Sequence, residues 1–241
     1  MDVVDALAAR DGIVCVVGAG GKKTTLATLA ARLDRAVVTA TVRIPIFDSW
    51  VARVAVTDDP LSAVESTDEW PLGVVPEQER PDRYRGYDRE TVDALGSLDL
   101  PILVKADGAR MRDFKAPNDR EPQIPSKATT VIPIASAHVV GEPLDEVRVH
   151  RVDRVSALTG LDPGAEIGAD VVATVLASEA GGRKGVPDGA TVVPLINMVD
   201  DADLAATARE IAEGVLERAA VPRVVLAEMR ADDPLVAVVE G

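Results

Sequence analysis

Ile13-Val14-Cys15-Val16-Val17-Gly18-Ala19-Gly20-Gly21-Lys22-Lys23-Thr24-Thr25 is the stretch that decides the fold class. An apolar run, Ile13–Val17, ends abruptly at glycine, as a strand buried on both faces does. Apolar residues at helical spacing over Thr25–Leu33 then predict a helix. Glycines between a buried strand and a helix let the backbone turn its N–H groups inward. Together with the helix N-terminus those groups form a site for phosphate oxygens. A lysine there adds a mobile positive charge, and a hydroxyl at the helix start can ligate Mg²⁺. Gly18, Ala19, Gly20, Gly21, Lys22, Lys23, Thr24 and Thr25 are therefore the candidate nucleotide-binding residues.

The loop departs from the strict pattern G-x-x-x-x-G-K-[ST]. Aligning Gly21-Lys22 with G-K puts Val16 on the first glycine and Lys23 on the hydroxyl position. Aligning Lys23-Thr24 puts Lys22 on the second glycine. Either Thr24 or Thr25 can supply the hydroxyl. Downstream, the apolar run Ile102–Val104 leads through Lys105 and Ala106 to Asp107-Gly108. A carboxylate at the end of a buried strand lies beside the phosphate loop in open α/β folds, where it can hold Mg²⁺. Asp107 and Thr24 are the candidate metal ligands. Lys22, Asp107 and Arg110 are the candidate catalytic residues, and Arg112 and Lys115 extend the basic cluster. A third element, Asn197-Met198-Val199-Asp200, resembles the guanine-reading N-K-x-D, with Met198 in place of Lys; Asn197 and Asp200 are its candidate base contacts.

Outward from these motifs, strand and helix signals alternate. Ala36–Thr41, Val51–Thr57, Pro101–Ala106, Thr129–Ala135, Thr191–Ile196 and Arg223–Ala227 predict strands; Pro133 argues that its strand is an edge or carries a bulge. Asp153–Thr159, Asp170–Ala177 and Asp203–Ala219 predict helices. Residues 58–100, with Pro60, Pro71, Pro76 and Pro81 and the charged Glu77–Arg85, read as an excursion with one or two short helices. The order implies an α/β fold, a P-loop NTPase-like three-layer sandwich with a mainly parallel sheet. The expected partition is one domain over residues 1–241 with an insertion near 58–100; a small subdomain around 108–190 is the alternative.

Composition narrows the function classes. Asp and Glu number 40 against 26 Lys and Arg, a net charge of −14, which argues against sequence-independent binding to nucleic acid. No apolar run approaches the roughly 18 residues of a membrane span, and MDVVDALAAR lacks the basic start of a secretory signal. The expectation is a cytoplasmic protein without membrane partners. A single cysteine, Cys15, forms no intrachain disulfide and, set in an apolar strand, reads as a small core residue. Only His138 and His150 are available as imidazoles, so a structural zinc site is not expected. Acid excess with few lysines is also what a cytosol of very high salt selects.

Several segments in order carry a more specific resemblance. They are Val16–Thr25 (VVGAGGKKTT), Val104–Arg110 (VKADGAR), Lys115–Pro125 (KAPNDREPQIP), His150–Gly160 (HRVDRVSALTG), Lys184–Pro187 (KGVP) and Leu195–Asp200 (LINMVD). Through them the chain resembles the YqeC family, from about Gly12 to Ala227. The resemblance implies an accessory role toward selenium-dependent molybdenum hydroxylases. It departs where Lys105 stands in place of a Glu before Ala-Asp-Gly, where Met198 replaces a Lys, and where Thr39–Arg43 lacks a Thr-rich run ending in His. The expected function is Mg²⁺-dependent binding of ATP or GTP, with hydrolysis, in molybdenum hydroxylase maturation. The expected partners are a nucleoside triphosphate and a molybdenum hydroxylase or its maturation proteins. A non-hydrolysing nucleotide-gated adaptor and a small-molecule phosphotransferase are the competing readings.

Overall fold

Ten strands form one central sheet in the computed structural model, which describes residues 1–241. In chain order they are β1 Ile13–Gly18, β2 Val37–Ala40, β3 Arg53–Val56, β4 Leu72–Val75, β5 Ile102–Lys105, β6 Ala128–Ser136, β7 Thr191–Val192, β8 Leu195–Asn197, β9 Arg223–Ala227 and β10 Leu235–Glu240. Across the sheet the order is β10-β9-β8-β6-β1-β5-β2-β4-β3, with β7 pairing β6 beside β8. Every pairing is parallel except the last, β10 against β9.

The helices are α1 Val3–Ala6, α2 Lys22–Ala30, α3 Pro60–Glu65, α4 Arg89–Leu95, α5 Val152–Thr159, α6 Ala169–Ala177 and α7 Ala202–Arg218. Pleating sends alternate side chains of β1 to opposite faces. Val14 and Val16 pack with Leu26 and Leu29 of α2 and with α1. Ile13, Cys15 and Val17 pack on the other face with Val92 and Leu95 of α4 and Val64 of α3. On that second face Val172 and Leu176 of α6 and Ile211 and Val215 of α7 cover Ile196 and Leu226. The result is an α/β three-layer sandwich of the P-loop NTPase-like kind. No helix is long and apolar enough to cross a membrane.

Three differences from the sequence reading have physical causes. The strand that holds Pro133 is not an edge: β6 lies in the middle of the sheet, and it carries a register shift against β1 near Thr129, away from the proline itself. Its neighbour is broken instead. Pairing runs through Thr130–Val131 with β7 and Ile134–Ser136 with β8 and lapses between them, around Pro133 and Pro194, two residues with no N–H to offer. The expected strand Thr191–Ile196 is therefore two strands. Residues 58–100 hold the expected short helices, α3 and α4, but also β4, a full member of the sheet between β2 and β3.

Two short ladders stand apart from the main sheet. Phe114–Lys115 pairs with Val149–His150, and Ile44–Pro45 pairs with Arg83–Tyr84. Each flanks the phosphate loop at the carboxyl ends of the parallel strands, where open α/β sheets bind ligands.

Candidate functional site

The glycine loop, the candidate phosphate loop, joins β1, near the middle of the sheet, to α2. Gly21 caps the helix in a left-handed conformation (φ 119°). A Cβ there would collide with the side-chain amide of Asn197, so this position tolerates only glycine.

The loop's N–H groups divide into two sets. Gly18 donates to Asp107 Oδ2 (2.9 Å), Ala19 to the Ile134 carbonyl (3.0 Å) and Gly20 to the Arg112 carbonyl (3.1 Å). These three fasten the loop to its surroundings and do not face a ligand. The N–H groups of Gly21, Lys22, Lys23 and Thr24 meet no acceptor within the protein. They are the orphan donors at the start of α2, and they open onto the cleft that these four residues line.

Lys22 is the loop lysine. It is buried, lies 2.9 Å from Asp107 Oδ1 and donates to the Gly18 carbonyl. Asp107 Oδ2 also accepts from Lys115 Nζ (2.8 Å), which reaches Glu121 Oε2 (2.9 Å); Arg151 lies 2.7 Å from the same Glu121 oxygen. Lys105 Nζ donates to the carbonyls of Arg43 (2.8 Å) and Asp107 (2.7 Å) and has no carboxylate partner. Four basic side chains thus surround two carboxylates in a largely buried volume. That surplus of positive charge favours an anion.

Burial opposes ionisation of Asp107, but the ammonium groups of Lys22 and Lys115 outweigh it and hold the carboxyl below the usual range. Glu121 is likewise lowered, burial being outweighed by Lys115. Burial pushes the Lys22 ammonium down, and pushes Lys105 down to about 7 with help from the charge on Lys22. Partial burial and the neighbouring Arg151 and Lys115 lower His150 to about 4.

The loop opens into a cleft of about 1070 Å³. It is lined by Lys22, Lys23, Arg43, Arg83, Lys105, Arg110, Arg112 and Arg230 against only Asp113 and Glu121. Ion pairs hold Lys22 to Asp107, Arg43 to Glu79 and Arg83 to Asp82, whereas Lys23, Lys105, Arg110, Arg112 and Arg230 have no carboxylate within 4.0 Å. In a chain of net charge −14 this concentration is a local reversal of sign. Arg110 and Met111, at φ 49° and 62°, hold the rim in the left-handed region, a conformation that non-glycine residues keep where surrounding structure enforces it.

The remaining sequence candidates are placed as follows. Thr24 lines the cleft, whereas Thr25 is fully buried with its hydroxyl on the Gly21 carbonyl (3.1 Å), so Thr24 is the accessible hydroxyl. Asn197 and Asp200 are both engaged within the protein. Asn197 is buried; its amide donates to the Gly20 carbonyl (2.8 Å) and accepts from the Met229 N–H (3.1 Å), which clamps the phosphate loop to β8 and to the turn after β9. Asp200 lies 2.6 Å from His138 Nε2, outside the cleft lining. Cys15 is fully buried, and desolvation raises its thiol.

Lys115, Glu121 and Arg151 turn out to be the inner frame of the site. Their signal in the sequence was the density of charge in the segments Lys115–Pro125 and His150–Gly160. What pattern alone does not show is that a two-strand ladder brings those segments together.

A model of the YqeC family, described as YqeC protein, matches residues 14–153. That span runs from β1 through the phosphate loop, Asp107, Lys115 and Glu121 to Arg151. The chain belongs to the YqeC family. It is similar to a protein of Escherichia coli (strain K12) described as "Uncharacterized protein YqeC", with 29% identity over 84% of this chain and 82% of that protein. No solved structure matches the chain.

Proposed function

We propose that this YqeC-family chain binds a nucleoside triphosphate, ATP or GTP, as a Mg²⁺ complex, and that binding and hydrolysis serve molybdenum hydroxylase maturation. The observation that carries the reading is the four unpartnered N–H groups of Gly21–Thr24, converging with Lys22 on a cleft with a surplus of cations. Such an arrangement stabilises a polyanion through aligned donors, helix dipole and charge at once. Lys22 would exchange its contact with Asp107 for the phosphates, and Arg110 or Arg112 would offset charge at the rim.

The donors present fit Mg²⁺. Asp107 Oδ1 is buried and, apart from the ion-pair contact with Lys22, has no aligned hydrogen bond; Thr24 supplies a hydroxyl in the cleft. No three acidic, histidine or cysteine side chains converge as a metal cage. Mg²⁺ is commonly held by one or two carboxylates together with phosphates and water, so it would arrive with the nucleotide. Bound there, it would neutralise charge on the phosphates.

A specific observation favours a second reading, a nucleotide-gated adaptor without turnover. The cleft carboxylates, Asp113 and Glu121, are both tied up in ion pairs with Arg148, Lys115 and Arg151, which leaves none free to orient an attacking water.

Calorimetric titration of MgATP and MgGTP in high KCl tests the proposal. Wild type is expected to bind at least one of them, and Lys22→Ala to weaken binding tenfold or more, about 1.4 kcal/mol. Absence of binding at millimolar nucleotide overturns it. Phosphate release then separates hydrolysis from gating.

A further inference from the structure

The cleft is larger than one nucleotide site requires. At about 1070 Å³ it is at the top of the range of roughly 300–1,000 Å³ for pockets that enclose one ligand. Its shape follows the sheet order. The phosphate loop leaves β1; on the β8–β9 side lie Met198 and Arg230, and on the β2 side lie Val42, Pro45, Trp50 and Arg83. A molecule whose phosphates sit on the loop extends along one of these limbs and leaves the other.

We propose that the β2-side limb is a second ligand site, for a small molecule that joins a flat ring to a phosphate. The proposal rests on the loop being a nucleotide site, since the loop divides the cleft. The limb has an apolar wall in Val42, Pro45 and the half-buried Trp50. Trp50 is backed by Phe47 at 5.7 Å between ring centroids, and Phe47 is held edge-on by Tyr84 at 5.5 Å. A supported indole at a cleft wall is a stacking platform for a planar group.

The anionic part of the specificity comes from a separate observation. Lys105 is 7% exposed and sits between the limb and the phosphate loop, on the strand that pairs with both β1 and β2. Two of its ammonium protons go to carbonyls, and no carboxylate neutralises it. A buried ammonium facing a cleft without a counter-ion is stabilised by an anionic ligand. Arg83 stands across the same limb, held only by its exposed neighbour Asp82 at 3.3 Å. Arg43 is bridged to Glu79 by two hydrogen bonds of 2.6 Å, so Lys105 and Arg83 carry the recognition of charge.

Phenyl phosphate is the probe, titrated into the Trp70→Phe protein so that Trp50 is the only indole. Trp70 lies away from the cleft, under Arg35. The expected result is a saturable change in Trp50 emission that persists at saturating concentrations of a non-hydrolysable MgATP analogue. Arg83→Gln should weaken it at least tenfold. Inorganic phosphate should bind this limb at least tenfold more weakly than phenyl phosphate. No saturable change, loss of binding when the nucleotide analogue is present, or an unchanged affinity in a folded Arg83→Gln protein each overturns the second site. The two readings separate cleanly. Competition between probe and nucleotide removes the second site and leaves the nucleotide site standing. Probe binding without any nucleotide binding removes the nucleotide site and, with it, the division of the cleft into two sites.

Discussion

At the scale of the residue, Lys115 joins the site together. Its ammonium is almost fully enclosed and touches Asp107 Oδ2, Glu121 Oε2 and the Gly108 carbonyl. Removing one member of a buried charged cluster leaves the others unpaired, typically at a cost of about 3–5 kcal/mol. Lys115→Met is therefore expected to lower the free energy of unfolding by about that amount, read from urea denaturation midpoints; a change below about 1 kcal/mol would contradict the buried network. His150 adds a pH dependence. Its folded value of about 4 lies below the ordinary 6.5, so the unfolded chain takes up a proton first as pH falls. The histidine's contribution to stability is complete above pH 6.5 and is lost progressively down to about 4. His150→Gln is expected to flatten that part of the stability–pH curve, as thermal melts across the range would show; an unchanged slope would count against it.

The elements show where sequence pattern was sufficient and where it failed. β1 and the start of β5 were legible because a strand buried on both faces reads as a short continuous apolar run bounded by turn residues. Asp107 followed from the same logic, being the first acidic residue past such a run. β4 was hidden. Leu72-Gly73-Val74-Val75 is bracketed by Pro71 and Pro76 and interrupted by glycine, all signals of a loop. Gly73 is there for packing: a Cβ would lie 2.6 Å from the Phe47 ring. Long-range contact, invisible to local pattern, decides that residue. The anchoring of Gly18 to Gly20 was not legible for a related reason. Their N–H partners come from β6 and from the loop after β5, far away in sequence. Phe47 fixes the segment that carries Trp50, and it is fully buried. Phe47→Ala should cost about 3–5 kcal/mol, measured by chemical denaturation. A much smaller loss would mean that this segment is not packed as described.

Over the whole molecule, charge is divided unevenly. The chain carries −14 in total, yet the cleft gathers eight cations against two carboxylates. The acidic excess therefore lies elsewhere, mostly on exposed positions where like charges repel. At molar salt the screening length falls to roughly 3 Å, which suppresses that repulsion. The melting temperature is expected to rise between 0.1 M and molar KCl; equal melting in both would show that the acidic surface brings no net strain. The same screening weakens long-range attraction of anionic ligands, so the buried geometry around Lys22 and Lys105 matters more than the overall field.

Cys15, walled between Ile13, Val17 and Val104, leaves the folded surface without a reactive thiol. Met111, by contrast, is 77% exposed on the rim of the cleft. A cysteine introduced in its place would be the molecule's one accessible thiol, so a thiol-directed fluorophore or spin label could be put at the cleft mouth without first stripping the native sulfur from the core.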